Sequence, residues 1–103
     1  MHAFSLNEHG DVACCCAVLL DTSSLTVTFP GEHPIKLSDI EARILLELMR
    51  AKGAPVSKDA IIRKVWDGYA TNDALAHRVQ SLRRKLGKDR VMVVYGYGYR
   101  LNV

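Results

Sequence analysis

The sequence predicts an α+β domain: a small antiparallel sheet, then three helices, then a C-terminal β-hairpin. Three observations predict it. Residues 25–29 alternate apolar and polar, the period of a half-buried strand. From residue 38 onward apolar residues recur at helical spacing, behind hydroxyl side chains suited to capping helices. The tail places two apolar runs either side of Tyr95-Gly96-Tyr97-Gly98, whose glycines suit a tight turn.

Size and composition agree with one domain. The chain has 103 residues, 49% hydrophobic and 24% charged, with a net charge of +3. That is too short for a (β/α)₈ barrel, which needs about 250 residues. It is too apolar and too weakly charged to be a disordered chain. The longest apolar run, Val12–Leu20, is well short of the roughly 20 residues that span a bilayer. The first residues lack the basic stretch of a secretory signal, so a cytoplasmic location is expected. We expect one domain over residues 1–103. Its sheet covers about residues 4–37, its helical core 38–87 and its wing hairpin 91–103.

Each element has a local reason. Phe4-Ser5-Leu6 is a first strand candidate, and Val12–Leu20 reads as one strand, apolar on both faces. Asp21-Thr22-Ser23-Ser24 is a turn cluster. Leu25–Phe29 is the alternating strand, Pro30-Gly31 ends it, and Ile35-Lys36-Leu37 completes a meander. Ser38-Asp39-Ile40-Glu41 is a capping box, in which serine accepts from the third N–H and glutamate reaches back. The helix behind it carries Ile40, Ile44, Leu45, Leu48 and Met49 on one face and ends near Lys52-Gly53. Ser57 caps a second helix with Ile61, Ile62, Val65 and Trp66 as its apolar face, broken by Asp67-Gly68-Tyr69-Ala70. Thr71 or Asn72 caps the third, and Gly87 stops it. Strands Val91–Val94 and Tyr99–Val103 form the hairpin.

The third helix is the informative one. Leu75, Val79, Leu82 and Leu86 are spaced 4, 3 and 4, so they form one buried stripe. The opposite face presents Asp73, His77, Gln80, Ser81, Arg84 and Lys88, flanked by Arg78, Arg83 and Lys85. Charge follows the same division. Residues 1–55 carry a net −3, and residues 56–90 a net +5. Basic charge concentrated on one element suits a polyanion, and hydrogen-bonding side chains amid the cations suit a helix in the major groove.

Other chemistry has little support. Cys14, Cys15 and Cys16 lack the CxxC spacing of a zinc site. In one strand Cys14 and Cys16 face one way and Cys15 the other. They read first as small apolar strand residues. A redox sensor, an intermolecular disulfide, or a metal site with His2, His9 or His33 are the alternatives. No catalytic constellation, cofactor motif or metal set is apparent. Gly96-x-Gly98 leads into a strand rather than a helix, so it is no dinucleotide site.

Three helices and a hairpin, the last two helices joined by a short loop, make a winged helix-turn-helix. Residues 37–101 also resemble a known family, the OmpR/PhoB-type winged-helix domain of bacterial response regulators. The ToxR/CadC-type membrane regulators carry a similar domain. The matching segments are Leu37-Ser38-Asp39-Ile40-Glu41, Val56-Ser57-Lys58 and Val65-Trp66. The most specific are Leu82-Arg83-Arg84-Lys85-Leu86 and Gly96-Tyr97-Gly98-Tyr99-Arg100-Leu101. With the upstream strands, which suit the family's four-stranded sheet, the likeness covers about residues 17–103.

The resemblance implies roles. His77, Arg78, Gln80 and Ser81 lie where the recognition helix meets bases and phosphates, and Arg83 and Arg84 where it grips the backbone. Lys58 and Trp66 match phosphate-touching positions, and Tyr95 and Tyr97 sit at the wing tip that enters the minor groove. Thr71 and Asn72 at the helix start and Lys88 beyond its end complete the expected DNA-contacting set. Asp67–Ala70 corresponds to the segment that contacts RNA polymerase in activators. Two positions depart from the pattern: Tyr95 replaces a frequent arginine, and Ser81 a frequent basic residue. The expected function is sequence-specific double-stranded DNA binding in transcription regulation, as a homodimer or in tandem on DNA. The alternative is a winged-helix module that docks on RNA polymerase or another regulator without reading DNA.

Overall fold

A computed structural model describes the protein at residues 5–6, 12–15 and 17–102. Strands β1 (Ser5–Leu6), β2 (Val12–Cys15), β3 (Val18–Asp21), β4 (Thr26–Thr28) and β5 (Ile35–Lys36) form an antiparallel meander in sequential order. Its register aligns Leu20 with Val27 and Val27 with Ile35 on the face turned to the core. Val18, Leu20 and Val27 are buried there, while Leu19 between them is exposed. This is the period-2 alternation of a sheet with one covered face.

The meander differs from the expected sheet in two respects. It has five strands, not four. The run Val12–Leu20 is not one strand but a hairpin that pairs Cys15 with Val18 across a tight turn holding Ala17 at φ 69°. Folding back lets the apolar run satisfy its backbone groups against itself. The pairing sets Cys14 opposite Leu19 and Cys15 opposite Val18. Cys16, His2, His9 and Phe4 lie outside the described residues.

Helix α1 (Asp39–Arg50) starts at the predicted capping box. Ser38 Oγ accepts from the Glu41 N–H at 3.2 Å, and the Ser38 N–H donates to Glu41 Oε1 at 2.8 Å. Ile44, Leu45, Leu48 and Met49 are fully buried, each contributing about 1.5–3 kcal/mol by leaving water. Strand β6 (Val56–Ser57) leads into helix α2 (Lys58–Trp66), capped by Ser57 Oγ on the Ala60 N–H. Helix α3 (Asn72–Leu86) is capped by Thr71 rather than Asn72. Strands β7 (Val91–Val94) and β8 (Gly98–Leu101) follow.

The wing is a three-stranded sheet in the order β6-β8-β7, not a bare hairpin. Val56 pairs with Tyr99 and Ser57 with Gly98. Gly98 is therefore required for a reason other than turn flexibility. A Cβ there would lie 1.9 Å from the Val56 carbonyl oxygen. The turn's left-handed residue is Gly96, at φ 76°. The wing is also tied to the first sheet. Arg90 Cζ sits 3.8 Å from the centre of the Phe29 ring and its guanidinium pairs with Glu32. The whole is a winged helix-turn-helix with α1 central to one core. Among the described residues no helix is long and apolar enough to cross a membrane.

Candidate nucleic-acid interface

Helix α3 turns Leu75, Val79, Leu82 and Leu86 inward. His77, Arg78, Gln80 and Arg84 are exposed, as the spacing predicts; Lys88 is exposed too, but the helix ends at Leu86 and the Gly87 cap turns the chain, so it lies beyond the helix and not on its face. Among the described residues none of these five is held in an ion pair, so their donors face water. Asp73 is the acid of that face, near the helix start where its charge favours the macrodipole; Arg83, Arg84 and Lys85 favour the other end.

Ser81 departs from the expected placement. It is half-buried, and its hydroxyl donates to Glu41 Oε2 at 2.6 Å. Lys85 Nζ donates to Glu41 Oε1 at 2.6 Å. The capping glutamate of α1 thus also latches α3. Glu41 is 1% exposed. Burial pushes its carboxyl pKa up, but the Lys85 ammonium, the Ser38 N–H and the Ser81 hydroxyl outweigh burial and hold it at about 2. The capping box was legible in the sequence, whereas these bonds span 40 and 44 residues and were not.

Arg83 is half-buried on the other flank, with its Nε enclosed and no hydrogen-bond partner among the described residues. Burial pushes the Tyr99 phenol up, and the Arg83 charge partly offsets this.

Strand β6 brings the remaining elements together. The Lys58 N–H donates to the Tyr97 carbonyl at 3.1 Å, pinning the wing tip to the start of α2. Ser57, Lys58, Asp59, Asn72, Gly96 and Tyr97 line an open cleft of about 370 Å³. Three residues expected to touch DNA, Lys58, Asn72 and Tyr97, are therefore neighbours. Tyr95 at the tip is 92% exposed. Trp66 is not part of this group: it is half-buried against the core. The Thr71 hydroxyl is occupied as the α3 cap. One residue outside the expected set also belongs to this surface region. Arg63 is exposed and shares a second cleft with Asn72. Tyr69, 90% exposed in the loop between α2 and α3, lines neither cleft. The polar break Asp67–Ala70 signalled that loop, but helix periodicity did not single out Arg63.

Comparison with known proteins agrees with this geometry. The family model described as "Transcriptional regulatory protein, C terminal" matches residues 32–101. The chain is 40% identical over 85 residues to the transcriptional regulatory protein CseB of Streptomyces avermitilis, covering 80% of this chain and 35% of CseB. It thus spans about a third of that relative's length. Among solved structures it resembles the DNA-binding domain of Bacillus subtilis CssR, at 28% identity and TM-score 0.61, covering 96% of this chain and 99% of that one. The AdeR DNA-binding domain, in complex with an intercistronic region, shares the fold at TM-score 0.73 and 20% identity, covering 84% of this chain and 94% of that one. The winged helix, the basic third helix and these matches lead to one conclusion: the chain belongs to the family of C-terminal domains of transcriptional regulatory proteins, the OmpR/PhoB-type winged helices.

Proposed function

We propose that this domain binds double-stranded DNA sequence-specifically in transcription regulation, with α3 in the major groove and the wing at the minor groove. The observation that carries the reading is the α3 face opposite the buried stripe, where His77, Gln80 and Arg84 are exposed together, with Arg78 exposed on its flank and Lys88 exposed just past the helix cap. His77, Arg78 and Gln80 have donors and acceptors suited to base edges. Arg84 and Lys88 suit phosphates, as does Lys58 beside the wing. Arg83 meets phosphate from the wing flank. Tyr95 and Tyr97 stack on or hydrogen-bond to sugar in the minor groove. One small module engages few phosphates, so tight binding calls for two copies on neighbouring half-sites. Tyr69 supports a protein contact, such as RNA polymerase, at the Asp67–Ala70 loop. The family is one of transcription-regulator domains rather than enzymes.

Fluorescence anisotropy on promoter-derived and random duplexes across a salt series tests the reading. A steep salt slope with a preferred fragment is the expected result. No binding even at low salt would overturn it and leave a protein-docking module.

A further inference from the structure

Glu41 is a buried carboxylate in a surface built of cations. Its Oε1 accepts from Lys85 and from the Ser38 N–H, and its Oε2 accepts from the Ser81 hydroxyl. Both α3 partners lie on one flank of that helix, next to the face that carries Arg84 and Gln80. We propose that Glu41 is a positioning residue that withholds Ser81 and Lys85 from DNA, leaving recognition to His77, Arg78 and Gln80 and phosphate binding to Arg84 and Lys88. The inference rests on the DNA-binding reading above and narrows it.

Glu41 and DNA compete for the same donors. For Lys85 to reach a phosphate it must leave a carboxylate that is 1% exposed, stranding a buried charge. A solvated, salt-screened phosphate interaction is a poor exchange for that pair. Likewise, Ser81 turned to a base leaves a buried carboxylate oxygen without its donor. Counting basic residues on α3 therefore overstates its electrostatic grip by one. The run Arg83-Arg84-Lys85 contains a lysine whose charge is already neutralised.

The test is the slope of log affinity against log salt, whose magnitude falls by about 0.9 for each phosphate the protein no longer neutralises. Unfolding does not mimic this change, because it removes binding altogether. Lys85→Ala is expected to leave the slope unchanged, whereas Arg84→Ala lowers it by about 0.9. Glu41→Gln keeps the side-chain volume and an acceptor for the Ser38 N–H, but removes the charge. It is expected to steepen the slope by about 0.9, and adding Lys85→Ala to it cancels the gain. Ser81→Ala is expected to leave the ranking of operator variants unchanged, while Gln80→Ala reorders it. A Lys85→Ala slope that drops as far as that of Arg84→Ala overturns the proposal, and needs no folded Glu41 variant. A reordered ranking in Ser81→Ala overturns its second half. If the unmodified chain shows no salt-dependent binding, the DNA-binding reading fails first and the inference falls with it.

Discussion

Gly98→Ala is the sharpest perturbation of the wing. The new Cβ would lie 1.9 Å from the Val56 carbonyl oxygen and 2.9 Å from Ser57 Cα. Both are backbone atoms of the paired strand, so no side-chain rotation relieves the clash. Strand β6 has to separate from β8. The pairing of Val56 with Tyr99 and of Ser57 with Gly98 then breaks, together with the Lys58–Tyr97 bond. At about 1 kcal/mol for each of these three backbone interactions, the cost is about 3 kcal/mol. For a domain of this size that lowers the unfolding midpoint by about 12–24 °C. Gly96→Ala is the control. Gly96 has φ 76° with nothing within 4 Å of an added Cβ, so only left-handed strain of about 1–2 kcal/mol applies. Thermal unfolding followed by circular dichroism compares the two. Gly98→Ala should fall well below Gly96→Ala and should lose protection of the β6 amides in hydrogen exchange. A Gly98→Ala midpoint at or above that of Gly96→Ala would refute the close-approach argument.

Further outcomes follow from the same structure. Glu41 is held at about 2 against an ordinary 4.5, so its contribution to stability is complete above about pH 4.5 and is lost as pH falls toward 2. The shift caps that contribution at about 3 kcal/mol, and the partly exposed Lys85 side chain reduces it to about 1–2 kcal/mol. Acid titration of the unfolding midpoint should therefore show a shallower limb in Glu41→Gln. His77→Ala should change which sequences are recovered from a random duplex pool, while leaving binding to random DNA near that of the unmodified chain. Tyr69→Ala should leave both the unfolding midpoint and DNA affinity unaltered, but lower polymerase-dependent transcription in a purified system. An equal loss of DNA affinity in that variant would place Tyr69 at the nucleic acid instead.

Much of this protein was legible in the amino-acid order because the signals are local. The capping box at Ser38–Glu41, the caps at Ser57 and Thr71, and the 4-3-4 stripe of α3 act within one or two helical turns, so spacing alone reveals them. The basic face of α3 follows from that stripe by geometry. The two-residue strand β6 was not legible, since Val56-Ser57 has no periodicity and exists only because β8 lies beside it. The role of Gly98 was hidden with it. The apolar run from Val12 to Leu20 carried no glycine or proline to mark its reversal, and pairing with itself decided where it bends. At the site, sequence alone showed which residue types line α3, but not which are free to act. That depends on Glu41, 40 and 44 residues away from Ser81 and Lys85, whose buried charge is tolerated only with both as partners. Helix period is a property of neighbours along the chain, whereas the availability of a charge is a property of what the fold brings against it.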